Sequence, residues 1–274
     1  MDYSDRKQKK VEIFEDTERL YKTNETLTEA IKNTIARTKF YPANAAIVEP
    51  TVHDKPAVIT VSKNKSLQAA YNYLIKNPGA KVCVHNFASA THPGGGVKWG
   101  SSAQEECLCR CTTLFPCLST DDLFRKYYKF HRDRHDTFYT DAVIYTPGII
   151  AVKSDLDFPQ RLPEQEWKTI DVVTCAAPNL RDQVLSKDKV QEFKQLHIQR
   201  AEKIILAAAE NGAEVLITGA FGCGAFKNPP EIVASAWKTA IQKHRNALKS
   251  IEFAVYCTPR DERNYWAFKG ELGR

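Results

Sequence analysis

No run of apolar residues in this 274-residue chain is longer than six, at 204–209. About 18 would be needed to span a bilayer as a helix, so an integral helical membrane protein is excluded. The first ten residues are polar and of mixed charge, with no apolar stretch; no secretory leader is expected, and the expected compartment is the cytoplasm. Glycine (12) and proline (13) occur at ordinary counts, which rules out a collagenous or wholly disordered chain. No block of like charge reads as a nucleic-acid arm; the densest basic cluster is Lys7, Lys9 and Lys10. Two phosphate-binding fingerprints are also missing. No Gly-Lys-Ser/Thr follows a glycine loop, and Gly219, Gly222 and Gly224 have the wrong spacing for a dinucleotide fold.

What is present suits a globular enzyme. The chain is 43% hydrophobic and 26% charged, enough for a substantial core. Its net charge of +6 is a mild bias that favours an anionic partner without naming one. The eight cysteines, at 83, 107, 109, 111, 117, 175, 223 and 257, are expected to be reduced thiols. The chain is too large to need a disulfide framework, and several of them sit in strand-like apolar runs.

Apolar periodicity predicts alternating helices and strands. Leu20, Leu27, Ile31 and Ile35 mark a helix over 15–39 with a weak point at 23–25, followed by a loop over 40–50. A strand is expected at 57–61, then a helix capped by Ser66 and ended by Asn77-Pro78-Gly79. Further strands are expected at 82–87, 142–146 (stopped by Pro147-Gly148), 170–176, 215–218 and 251–257. Further helices are expected at 102–113, 121–130, 188–210, and from Pro229-Pro230 to about 248. This alternation implies an α/β sandwich with helices on both faces of a central sheet. One domain is expected, with a helical extension over about residues 1–50.

Ligands of open α/β sheets bind beyond the carboxyl ends of the strands. Two loops there carry unusual chemistry. The first, after 82–87, contains Gly94-Gly95-Gly96, which exposes backbone N–H groups and allows close approach. Seven residues later Gln104-Glu105-Glu106 opens a helix. Adjacent acids in a first turn can merely favour the helix dipole. Successive helical residues diverge by about 100°, so the two glutamates are not expected to flank one bond as a matched pair. One could act on the scissile bond while the other grips a neighbouring hydroxyl. The second loop, 219–226, presents three glycines and two phenylalanines, a cradle for phosphates beside a sugar or a base.

Taken together, Asn86-Phe-Ala-Ser-Ala90, Gly94-Gly-Gly96 and Gln104-Glu-Glu106 resemble the signature of poly(ADP-ribose) glycohydrolases, in which GGG is followed after a short spacer by QEE. The segments 173–179 and 219–226 resemble the compact microbial-type branch, in the same order. The similarity runs over roughly 20–259. It implies a macrodomain-like three-layer α/β/α sandwich with a mixed central sheet. It also implies hydrolysis of ribose–ribose O-glycosidic bonds to release ADP-ribose. Carried over, it makes Glu106 the catalytic acid, with Glu105 beside it. Glu105 and Asn86 would hold hydroxyls of the distal ribose, and Gly94, Gly95 and Gly96 would run along the same sugar and the phosphates. Gly222, Cys223, Gly224 and Ala225 would form the diphosphate loop, with Phe226 against the ribose. Gln104 and Asn179 would line the same cleft. The substrate would be poly(ADP-ribose) or ADP-ribosylated macromolecules, the product ADP-ribose, and the enzyme a monomer without sequence-specific nucleic-acid binding.

The chemistry stands without the resemblance. Cleavage of such a bond develops oxocarbenium character. A protonated Glu106 can protonate the leaving hydroxyl, then as a carboxylate activate water, with neither metal nor organic cofactor. Two readings of other classes compete: a mono-ADP-ribosyl hydrolase of the same fold and a non-catalytic ADP-ribose-binding macrodomain. The intact acidic pair argues against the second. A zinc site at Cys107, Cys109, Cys111 and Cys117 is disfavoured, because 107 and 109 on one helix face apart and zinc knuckles space their cysteines differently. His197 is expected at a surface or boundary. Trp99 fits either the core or the cleft mouth.

Overall fold

The computed structural model describes residues 2–48, 50 and 53–273 and begins with two helices joined at one residue. Asn24 ends α1 (Tyr3–Thr23) by donating its N–H to the Leu20 carbonyl, and its side chain caps α2 (Glu25–Arg37) by accepting from the Leu27 N–H. The helix expected over 15–39 is therefore two helices, and the first starts at Tyr3, twelve residues before the expected start. Its N-terminal half carries too few apolar residues to show a stripe; Phe14 and Tyr21 are among its few buried side chains.

The chain then runs through β1 (Lys39–Tyr41), β2 (Val58–Ser62), α3 (Ser66–Lys76) and β3 (Val82–Phe87). After the glycine loop come α4 (Gln104–Cys111), α5 (Leu114–Leu118) and α6 (Asp121–Leu123). A π-helical segment, Phe124–Lys129, leads into α7 (Phe130–Arg134). β4 (Val143–Ala151), β5 (Lys168–Cys175), α8 (Val190–Glu210), β6 (Val215–Thr218), α9 (Pro230–Lys243), β7 (Ser250–Ala254) and α10 (Arg263–Leu272) complete the fold. β1, α5 and α10 were not legible in the sequence. Ser66 is not the cap of α3 but its first residue, and makes no cap hydrogen bond there.

The sheet has seven strands in the order β1-β4-β5-β3-β6-β7-β2. β1, β4 and β5 pair antiparallel, whereas β5, β3, β6, β7 and β2 run parallel. Pro147-Gly148 does not stop β4. The strand absorbs the pair as an irregularity between Thr146 and Ile149, where a missing proline N–H costs no ladder bond. Gly148 takes φ +72° there and donates its N–H to Asp171 at 2.8 Å.

Alternation along the strands sorts the core into two halves. Val82, Val84, Val172, Val215 and Ile217 face α1–α5 on one side, together with Phe14, Tyr21, Leu27 and Ile31. Cys83, Val173, Leu216, Ile251 and Phe253 face α8, α9 and α10 on the other. The N-terminal helices thus share the main core rather than sitting apart from it. Ile204 and Ile205 of α8 are fully buried, each worth about 2 kcal/mol of hydrophobic stabilisation. No helix among the described residues is long and apolar enough to cross a membrane. The carboxyl ends of the five parallel strands meet at one edge, and the glycine loops lie there.

Candidate active site

β3 is buried almost throughout and delivers its chain directly into the glycine loop. Gly94 and Gly95 adopt left-handed backbone (φ +67° and +56°), and a tight turn at Val97–Trp99 then leads into α4. The physical need for glycine is sharpest at Gly95. A Cβ there would stand 2.6 Å from Glu106 Oε1 and 3.1 Å from Glu105 Oε2. Both carboxylates therefore close on one backbone position, although their side chains leave the helix in different directions. Gly94 is different. A Cβ there would meet Phe115 and Cys109 in the core, and its backbone supports the Glu105 carboxyl, whereas Gly95 and Gly96 line the cleft.

Glu105 is 2% exposed and accepts from Ser89 N–H at 2.7 Å and from Asn86 Nδ2 at 3.3 Å. Burial pushes its carboxyl up to about 8, opposed by the Ser89 N–H and reinforced by the adjacent Glu106 charge. Glu106 is 8% exposed; its Oε1 accepts from Gly96 N–H at 2.8 Å, and its Oε2 is buried without a protein partner. Asn86 is fully buried behind Glu105, where it also donates to Thr174 Oγ1 at 3.3 Å; it does not line the cleft.

The Gln104 side chain is engaged by the protein. Its Oε1 accepts Phe87 N–H at 2.9 Å, and its Nε2 donates to His85 O at 2.8 Å and Ser66 Oγ at 3.2 Å. These bonds tie α4 to the end of β3 and to the start of α3, so Gln104 orients the acidic pair even though it lines the cleft.

The second loop follows β6. Gly222 has φ +76°, and a Cβ there would lie 2.6 Å from that of Ala177. Asn228 clamps this loop by donating Nδ2 to Pro178 O at 2.7 Å and Gly222 O at 3.1 Å. Its Oδ1 meets His197 Nε2 at 2.8 Å. His197 is thus a buried support (2% exposed) and not a surface residue. Gly224, by contrast, has no positive φ, and a Cβ on it meets nothing within 4 Å. Gly224, Ala225 and Phe226 border open cleft, whereas Cys223 does not line it and directs its thiol at Phe221 O.

The cleft holds about 810 Å³. It brings together Gly95, Gly96, Gln104, Glu105, Glu106, Gly222, Gly224, Ala225 and Phe226. Asn179 stands one step back: its Oδ1 accepts the N–H of Arg181, which does line the cleft. Trp99 is 66% exposed at the cleft mouth. Arg6, Lys10, Lys65, Asp155 and Tyr256 also line the wall and were missed, because α1, the 153–157 segment and the chain after β7 are remote in sequence. Cys109, Cys111 and Cys117 pack into the core, and Cys107 points at Ser102 O. Among the described residues, no group of three or more His, Cys, Asp or Glu side chains is placed to hold a metal ion.

A three-layer sandwich with two buried carboxylates beside an open glycine-lined cleft defines a macrodomain-type glycosidase. Residues 7–154, more than half of the chain, match the microbial-type PARG catalytic domain. The chain belongs to this family of poly(ADP-ribose) glycohydrolases. It is similar to the poly(ADP-ribose) glycohydrolase of Thermomonospora curvata, at 27% identity and TM-score 0.83 over 97% of this chain and 100% of that one. The same protein bound to the inhibitor ADP-HPD matches at 27% identity and TM-score 0.80, over 97% and 100% of the two chains. The Deinococcus radiodurans enzyme in complex with ADP-ribose matches at 26% identity and TM-score 0.75, over 89% and 97%. No curated protein matches the chain.

Proposed function

We propose that this chain hydrolyses the ribose–ribose O-glycosidic bonds of poly(ADP-ribose) and releases ADP-ribose, with Glu106 as general acid and then general base. The observation that carries this reading is the unpartnered, buried Oε2 of Glu106 beside the cleft. Its Oε1 is already held by Gly96, so Oε2 is the oxygen left for the scissile bond.

Two carboxylates closing on one glycine repel each other as charges, and burial favours the protonated form of Glu105. In the catalytic step Glu106, in its acid form, gives a proton to the departing ribose oxygen as the C–O bond breaks. The resulting carboxylate takes a proton from water as water adds to the anomeric carbon, which restores the acid. Glu105, held by Ser89 and Asn86, keeps the ribose hydroxyls in place. The N–H groups of the 219–226 loop other than those of Phe221 and Cys223, which are donated to Gly219 O and Ala220 O, supply the diphosphate cradle, and fixing the diphosphate fixes the distal ribose against Glu106. The chain works as a single catalytic domain, monomeric and cytoplasmic, with no cofactor.

The test is to incubate the purified protein with poly(ADP-ribose) and separately with mono-ADP-ribosylated protein, following free ADP-ribose. Release from polymer, abolished by Glu106→Gln, is expected. Release only from the mono-modified protein would transfer the chain to the mono-hydrolase reading. Binding of ADP-ribose without release from either would make it a reader.

A further inference from the structure

One wall of the cleft carries three cations, Arg6, Lys10 and Arg110, for which Asp157, acting on Arg6 and Lys10, is a single shared counter-charge among the described residues. Arg110 lies on α4, one turn after Glu106, and lines the same cleft, but its guanidinium turns to Ser101 O and not to the Glu106 carboxyl. It is 1% exposed, yet its two terminal nitrogens share a single carbonyl acceptor, Ser101 O, at 2.9 and 2.6 Å. Arg6 and Lys10 come to the same cleft from α1, one turn apart. Burial and the charges of Arg110 and Arg6 lower the Lys10 ammonium, as expected for like charges crowded together. The acids nearby are engaged first by other groups, and Asp157 is left to be shared with Arg6 and Lys10. Asp157 pairs with Lys65 at 3.0 Å, and Asp155 accepts the N–H of Gln68 at 3.0 Å. Arg6 instead rests over the Phe158 ring, 5.2 Å from its centroid.

A buried guanidinium without an anion is costly, and two more cations beside it raise that cost. An anionic ligand relieves it. The 219–226 loop already supplies a cradle from another part of the cleft, so this wall suits a second anionic group. Under the function proposed above, the substrate carries a diphosphate in every unit, including the one joined across the scissile bond. We propose that Arg6, Lys10 and Arg110 form a second anion subsite that takes the diphosphate of the polymer unit adjoining the one being released. The subsite holds the polymer rather than the product, and therefore acts on chain length preference and salt dependence.

The test uses the double variant Arg6→Ala/Lys10→Ala, which leaves buried Arg110 in place to protect folding. Two charge contacts on a solvent-facing wall are worth about tenfold in binding. The KM for poly(ADP-ribose) should rise about tenfold, with a shallower salt dependence, while calorimetric affinity for ADP-ribose stays as in the wild type. The exchange variant Arg6→Lys/Lys10→Arg should keep the wild-type KM. An unchanged KM, or an equal loss of ADP-ribose affinity, would overturn the subsite. If the wild type cleaves no polymer, the functional reading falls on its own. The subsite is then decided by titrating inorganic diphosphate into protein saturated with ADP-ribose. One further site, lost in the double variant, would support it, and no heat would refute it.

Discussion

The N–H of Gly96 donates to Glu106 Oε1 at 2.8 Å, and this single bond sorts the two oxygens of the carboxylate into a held one and a free one. The glycine loop thus orients the acid as well as leaving room beside it. Because Gly96 lies ten residues before Glu106, the loop and the first turn of α4 form one unit.

Glu106→Gln keeps the shape of the side chain but can neither donate nor take the proton. Turnover on poly(ADP-ribose) should fall by about 10² to 10⁴. ADP-ribose affinity, read by calorimetry, should be nearly unchanged. Turnover equal to the wild type would remove Glu106 from the catalytic role.

Gly95→Ala introduces a Cβ 2.6 Å from Glu106 Oε1 at a backbone with φ +56°. The left-handed conformation alone costs about 1–2 kcal/mol for an alanine. Melting temperature should drop by several degrees, and kcat should fall further than the loss of folded protein explains. Full specific activity in the folded fraction would show that the carboxylate pair tolerates displacement.

Burial raises Glu105 to about 8 in the folded protein, above its ordinary value of 4.5. The native state then holds a proton that the unfolded chain gives up, so stability is fully present below about 4.5 and is lost as pH rises toward 8. Denaturant titrations across this window should show a decline that Glu105→Gln flattens. An identical pH dependence in the variant would exclude Glu105 as its source.

Gly222 and Gly224 should behave in opposite ways. Gly222→Ala meets Ala177 at 2.6 Å with φ +76°, and should cost about 1–3 kcal/mol of stability. Gly224→Val meets nothing in the protein and should melt like the wild type, yet its side chain occupies cleft and should weaken ADP-ribose binding. Wild-type affinity in folded Gly224→Val would sink the cradle.

Activity should persist in EDTA, with substoichiometric zinc by elemental analysis. One tightly held zinc per chain, lost together with activity, would restore a metal role for the cysteines at 107, 109, 111 and 117.

Local chemistry was readable wherever it is written in consecutive residues. β3 and β6 fall where the apolar runs place them, at 82–87 and 215–218, because a central parallel strand is buried on both faces and so reads as a largely apolar run. Asn24 was legible only as a weak point, since one residue both closes α1 and caps α2. Pro147-Gly148 misled, because a stop signal and a bulge use the same residues and pairing on both sides of β4 decides between them.

The sequence alone determined six of the seven strands, the acidic pair and the glycine loops, because backbone conformation and side-chain period are local properties. Only the tertiary structure decided which groups meet. It set Asn86 and Gln104 to orient the acids, turned His197 inward to clamp the second loop through Asn228, and carried Arg6 and Lys10 from α1 onto the cleft wall. Such contacts join residues far apart in the chain, and burial in the assembled core fixes both their partners and their charge.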